Sequence, residues 1–227
     1  MNIYLLRHGE TDWNHVGRLQ GHTDIPLNDC GREQMGHVAE VLAGLLEEMD
    51  VIISSPLLRA RESAEIVADR LAYAKENIVV EPMLIERCFG EGEGLTVPER
   101  NEKYPDGILP GKEPLEDLIS RARSVFEKVV TTYQDKENIL LAGHGSILYA
   151  VVTAVTDGRI DYGGKKVTFN QGSIYRIRCA DGTQIYHKGE MIYGFPMIRK
   201  IADEVTESND NDGVAMYLER YMEEIVF

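Results

Sequence analysis

Two rhythms alternate along the chain: short unbroken apolar runs, and longer stretches in which apolar residues return every three or four positions. The run NIYLL (2–6) has the length of a buried strand and ends at Arg7; VIISS (51–55) reads the same way, and NIVVEPML (77–84) contains another. NILLAGHG (138–145) is a strand entering a glycine turn. Helical spacing predicts a helix capped by Asn28 or Asp29, with Met35, Val38, Leu42, Leu45, Leu46 and Met49 as its stripe. A second helix is expected from Pro56, suited to a first turn, to about Ala74. A third runs from about Pro114 to Tyr133 on Leu115, Leu118, Ile119, Ala122, Val125, Phe126 and Val129, and residues 146–156 read as a buried helix. Residues 90–114, rich in Gly and Pro, read as loop. SIYRIRC and TQIYHKG flank Ala180-Asp181-Gly182, the pattern of a hairpin.

Strands alternating with helices imply a three-layer α/β/α sandwich around a mostly parallel central sheet. We read one domain over 1–227, its core spanning about 1–190. Residues 191–227 form a helical C-terminal extension around the polar segment ESNDNDG (207–213).

Composition narrows the function classes. The 227 residues carry a net charge of −14, which argues against nucleic acid as a partner, because that requires a basic stripe. No apolar run approaches the roughly 20 residues needed to span a bilayer, so no membrane partner is expected. Three widely spaced cysteines and no secretory signal pattern point to a reduced, cytoplasmic protein. The acidic tail offers a surface for self-association, as in a homodimer, or for partner contact.

Two strands end in a basic residue or histidine followed by glycine: Arg7-His8-Gly9 and His144-Gly145. In an open parallel sheet ligands bind beyond the carboxyl ends of the strands, so both histidines are expected at one crevice. VIISS leads into a helix carrying Arg59 and Arg61, and PMLIER brings Glu86 and Arg87 to the same level. Such a set suits phosphoryl transfer. Arginine forks match phosphate oxygens, a neutral histidine can attack phosphorus, and a second histidine, if protonated, can stabilise the equatorial oxygens. A protonated glutamate can supply the leaving group's proton. No Asp/Glu/His cluster calls for a metal, and the chemistry needs no cofactor. Glu10 is the competing acid. Arg61 is read as an ion-paired or solvated helix residue, Cys88 as a small buried filler, and His15, His37 and His187 as ordinary.

LLRHGETDWN resembles the RHGE(T) signature of the histidine phosphatase superfamily, also called phosphoglycerate mutase-like. GRLQGHTDIPLNDCGREQ, IISSPLLRARESAEI, LIERCFGEGEGLT and LLAGHGSIL resemble that family's later segments in order, over roughly residues 1–190. The resemblance implies the phosphoglycerate mutase-like fold and a phosphorylated small-molecule substrate. It makes His8 the nucleophile, Arg7, Arg59 and His144 the phosphate pocket, and Glu86 the proton donor. Asn14 matches a phosphate contact, while Gln20 and Gly21 lie in the adjoining substrate loop. Gly143 stands where many members have Ser. The short segment after Glu86 is similar to the phosphatase branch, so a phosphomonoesterase is expected, with a mutase or a non-catalytic phosphate-binding adaptor as alternatives. Phe89, Tyr104, Ile108 and Leu109 are equally readable as a substrate wall or a loop's private core, with Lys112 a candidate second cation.

Overall fold

The protein, seen in a computed structural model, is described for residues 1–158, 169–179 and 188–193, the last as backbone only. The turn at 180–182, His187 and the tail expected from 191 lie outside the described residues, apart from 191–193, which are strand.

Among the described residues, six strands form one mixed sheet. In chain order they are β1 (Asn2–Arg7), β2 (Val51–Ser54), β3 (Val79–Val80), β4 (Asn138–Gly143), β5 (Ile174–Arg178) and β6 (Lys188–Tyr193), and they lie in the order β3-β2-β4-β1-β5-β6. The first four in that order are parallel, whereas β5 and β6 run antiparallel at one edge. Of the strand expected within 183–189, residues 183–187 lie outside the described residues, and Lys188 and Gly189 belong to β6.

Period-two alternation explains the layering. Ile3, Leu5, Ile139 and Leu141 point to one face, where helices α5 (Leu115–Thr132) and α6 (Gly145–Val155) cover them with Leu118, Phe126, Ile147 and Val151. Tyr4, Leu6, Ile52 and Leu140 point to the other face. There α2 (Asp29–Leu45) and α3 (Leu58–Arg70) close over them with Met35, Val38, Leu42 and Val67. The three expected layers are present, with a one-turn helix α1 (Asp12–His15) in the loop after β1.

Several boundaries differ from the periodic reading. α2 is capped by Asn28, whose side chain accepts the Gly31 N–H at 2.8 Å. The helix stops at Leu45, which is exposed, while Leu46 and Met49, just beyond its end, still pack on the same core as Leu42. Pro56 precedes α3, whose N-cap is Leu57, and the helix ends at Arg70, just before Ala72 takes a left-handed φ of 53°. The strand in 77–84 is only Val79–Val80, both exposed on the sheet edge. Residues 90–114 are not all loop: α4 (Val97–Lys103) starts at a capping box in which Thr96 and Glu99 each bond the other's backbone N–H.

The turn after β1 is packed backbone to backbone against the start of α2. A Cβ on Gly9 would sit 2.4 Å from Gly31 O, and one on Gly31 would sit 2.1 Å from Glu10 O. Gly36, in the same helix, faces open space. Two substitutions of one type should therefore act oppositely. Gly36→Ala is expected to raise stability by about 0.4–1 kcal/mol through unfolded-chain entropy. Gly31→Ala should lower it by about 1–3 kcal/mol, because neither backbone can give way. Urea unfolding of both variants checks the signs.

Candidate active site

The site follows from strand register. β1 and β4 pair in parallel with Arg7 opposite Gly143, so the next residues, His8 and His144, emerge side by side. The His8 N–H donates to Gly143 O at 3.0 Å, and the two rings stand 5.1 Å apart between centroids. β2 pairs with β4 on its other side, Ser54 opposite Ala142, which places Ser55 beside His144. In the first turn of α3, Arg59 returns toward the same point and is almost wholly buried.

Each side chain is held by something specific. The His8 Nδ1–H donates to Gly9 O at 2.6 Å, which leaves Nε2 with the lone pair. Arg59 donates to Gly21 O at 2.8 Å and to Thr23 O at 2.9 Å, and Arg7 donates to Phe169 O. The Ser63 hydroxyl accepts the Gly9 N–H and donates to Arg59 O, joining the β1 turn to α3. Glu86 is buried with its carboxylate at the start of α6. Its Oε1 accepts the Arg87 and Ile147 N–H groups at 2.8 and 3.1 Å, and its Oε2 accepts that of Ser146 at 3.1 Å. Asn14 turns its Oδ1 to the Thr11 N–H and hydroxyl, so its amide NH2 is the end left for a ligand.

These groups share a cavity of about 330 Å³, whose walls include Arg7, His8, Asn14, Gln20, Gly21, Arg59 and Glu86. His144 is not among the lining residues; it is fully buried, with its ring 5.1 Å from that of His8, which is. Among the described residues, Arg7 Nε, Arg59 Nε and His144 Nδ1 are buried polar atoms with no hydrogen-bond partner, as is Gln20 Oε1. A buried donor is costly without an acceptor, and an anion with several oxygens would satisfy the two arginine Nε–H groups; Gln20 Oε1, an acceptor, calls for a donor instead.

Electrostatics agree with that reading. Burial, and then the Arg59 and Arg7 charges, hold His8 well below the usual histidine range, against the opposing pull of the Gly9 carbonyl. His144 is lowered in the same way by burial, Arg59, His8, Arg7 and Arg121. Both rings are therefore held toward the neutral form in the ligand-free protein, and the condition placed on the second histidine's charge-stabilising role, that it be protonated, is opposed by its surroundings. Burial also brings Arg59 down to about 10, although Glu86 and Asp24 pull the other way.

Other candidates separate clearly. Glu10 accepts from the Asn28 amide and lies 3.6 Å from His15, away from the cavity wall. Arg61 pairs with Glu65 along α3. The Arg87 guanidinium donates to Glu113 O. Cys88 is half-buried, not a core filler. Phe89 lines the cavity, whereas Ile108 is exposed, Leu109 packs over Gly92 and Tyr104 bonds Glu91. Lys112 is not on the wall; the nearby cation is Arg18, which bonds Gly94 O and Glu99. Leu19, Tyr149 and Phe169 complete an apolar outer wall that the sequence reading missed.

Glu93 was missed as well. It accepts from the N–H groups of His22, Thr23 and Phe89 and from the Thr23 hydroxyl. Burial opposes its charge, but these donors prevail and hold the carboxyl below its usual range. Gly21, at a φ of 56°, leaves room for it; a Cβ there would lie 2.0 Å from Glu93 Oε1.

Comparison with known proteins gives a consistent picture. Residues 3–189 match the family model of the histidine phosphatase superfamily (branch 1). A Bacillus subtilis (strain 168) protein named uncharacterized phosphatase PhoE is 38% identical over 156 residues, covering 69% of this chain and 78% of that one. The metal-independent phosphoserine phosphatase of Arabidopsis thaliana is 33% identical over 166 residues, 68% of each chain. The mycobacterial glucosyl-3-phosphoglycerate phosphatase, solved with VO3, superposes with a TM-score of 0.69 at 25% identity, over 78% of this chain and 92% of that one.

The buried histidines carry a stability signature. Unfolded, each titrates near 6.5; folded, each resists protonation, so the unfolded state binds more protons as pH falls below about 6.5. Stability should then drop by up to about 1.4 kcal/mol per pH unit for each ring. Above that pH both states are neutral and the effect vanishes. In denaturation curves taken from pH 7.5 to 5, His8→Asn should show a shallower fall than the wild type; equal slopes would mean that native His8 is protonated.

Proposed function

The chain belongs to the histidine phosphatase superfamily, branch 1, and from that membership we propose that it is a phosphomonoesterase acting through a phosphohistidine on His8. The observation that carries the reading is the bare Nε2 of a neutral His8, sharing a cavity wall with Arg7 and Arg59, whose buried Nε–H groups lack protein partners among the described residues. In this reading Arg7, Arg59 and the Asn14 amide grip the phosphoryl oxygens, with Gln20 and Gly21 beside them. His8 Nε2 attacks phosphorus and forms a P–N bond as the ester P–O bond breaks. Glu86, entering the cycle as the carboxylic acid, gives its proton to the departing oxygen. Water then attacks phosphorus, Glu86 takes the water's proton, and the P–N bond breaks to release inorganic phosphate and restore His8. Charge is supplied by arginines and fixed donors, so no bound metal is invoked.

The alcohol part of the substrate would lie against Leu19, Phe89, Tyr149 and Phe169. That wall suits a phosphorylated small molecule with an apolar or aromatic face. Arg18 sits there already paired with Glu99 at 3.2 Å.

His8→Ala should abolish phosphate release and acid-labile labelling by a ³²P-phosphomonoester, while the wild type keeps both in EDTA. Full labelling of the variant would exclude His8 as nucleophile. Glu86→Gln should slow alkyl phosphates by about 10²–10⁴-fold and p-nitrophenyl phosphate far less, since a good leaving group hardly needs protonation. Equal slowing of both esters, with dephosphorylation shown not to limit either, would move the acid role elsewhere.

A further inference from the structure

We propose that Ser55 is a positioning residue that fixes the tautomer of His144, making it a neutral Nδ1–H donor to the transferring phosphoryl group; this rests on the phosphatase reading above. The argument is one of donor accounting. Ser55 is fully buried just past β2, and its Oγ lies 2.7 Å from His144 Nε2. The same oxygen accepts the Leu57 N–H at 3.4 Å. A hydroxyl has one proton to give, and among the described residues His144 Nε2 is the acceptor that this oxygen meets. Were Nε2 the donor instead, the Ser55 proton would be buried without an acceptor. The hydroxyl therefore donates to Nε2, and the single ring proton of a neutral His144 sits on Nδ1.

Nδ1 is the atom of His144 that is buried without a partner among the described residues, in company with Arg7 Nε and Arg59 Nε. Carrying a proton, it joins those two as a third donor for phosphoryl oxygens. A bare lone pair there would repel them. The positive groups facing His144 are Arg59, Arg7 and Arg121, with His8 beside it. A fourth positive charge among them would be repelled, whereas a neutral donor is not. His8 has the opposite arrangement: its Nδ1–H is committed to Gly9 O, and its Nε2 is bare. One ring presents a lone pair and the other a proton, each set by what its second nitrogen meets.

The test is spectroscopic first. In the full chain labelled with ¹⁵N-histidine, phosphate-free at neutral pH, long-range ¹H–¹⁵N spectra should show His144 protonated on Nδ1 and bare on Nε2, its signals assigned by their loss in His144→Gln. An Nε2–H tautomer or an imidazolium in the wild type overturns the proposal whatever the activity. Ser55→Ala should lose that single tautomer and lower kcat for p-nitrophenyl phosphate about tenfold to a hundredfold, by analogy with the loss of outer partners of ligating histidines, with a smaller change in KM. Ser55→Thr, which keeps the hydroxyl, should recover both. A Ser55→Ala protein with the Nδ1–H tautomer and wild-type kcat overturns the role of Ser55. The expected tautomer in a wild type that releases phosphate from no ester would count against the phosphatase reading, and not against the Ser55–His144 pair.

Discussion

Parallel hydrogen bonding between β1 and β4 puts Arg7 opposite Gly143, and that register leaves no choice in where His8 and His144 emerge. Because side chains alternate between faces, a slip of one residue would also turn Ile3 and Leu5 from the α5–α6 core to the α2–α3 core. The hydrophobic layers thus enforce the meeting of two histidines 136 positions apart in sequence. The next pairing, Ser54 with Ala142, brings a serine to the same level. Three neighbouring strands ending together supply the floor of the site, and α3 and α6 start from two of those ends.

The floor is built against electrostatic preference. Two guanidiniums and two imidazoles are buried around a single carboxylate of the cavity wall, Glu86, in a protein whose net charge is −14. The crowding is tolerated because the imidazoles stay neutral and the arginines lean on the carbonyls of Gly21, Thr23 and Phe169. What the carbonyls leave unmet is the pair of Nε–H groups, with His144 Nδ1 also unpartnered among the described residues, and in the proposed reading one multivalent anion answers them. Local geometry here outweighs the sign of the whole molecule.

Much of this was legible in the sequence, because strand ends and helix stripes announce themselves through periodicity. The Arg-His-Gly and His-Gly junctions stood at the ends of apolar runs, and the fold placed them together. Harder to read was anything whose meaning depends on a distant partner. Ser55 looks like any polar residue closing a strand until register sets it against His144. Glu93 looks like one more acid in a glycine-rich loop, and only the fold shows four donors converging on it. The capping box of α4 was present in Thr96-Val97-Pro98-Glu99, but the surrounding prolines and glycines masked it. Phe89 could not be told from Tyr104, Ile108 and Leu109, since aromatic and aliphatic residues in a loop carry no period. Tyr149 carried no signal of its own inside a helix read as buried, and Phe169 stood outside every periodic segment; both also pack against the core.

The four hydrogen bonds converging on Glu93 fasten the 20–23 turn to the segment that begins at Phe89, and Gly21 in that turn supplies the carbonyl that steers Arg59. The mouth of the cleft and the support of the Arg59 guanidinium, to which the proposed reading gives the hold on phosphate, are thereby fused into one mechanical unit. For anyone retargeting the protein, this divides the mouth into two kinds of position. Leu19 and Phe89 contribute side chains to the wall and can be randomised to explore new alcohols. Glu93 and Gly21, which look just as peripheral in the sequence, form the chassis, and a library that varies them would scramble the arginine before it sampled a single new specificity.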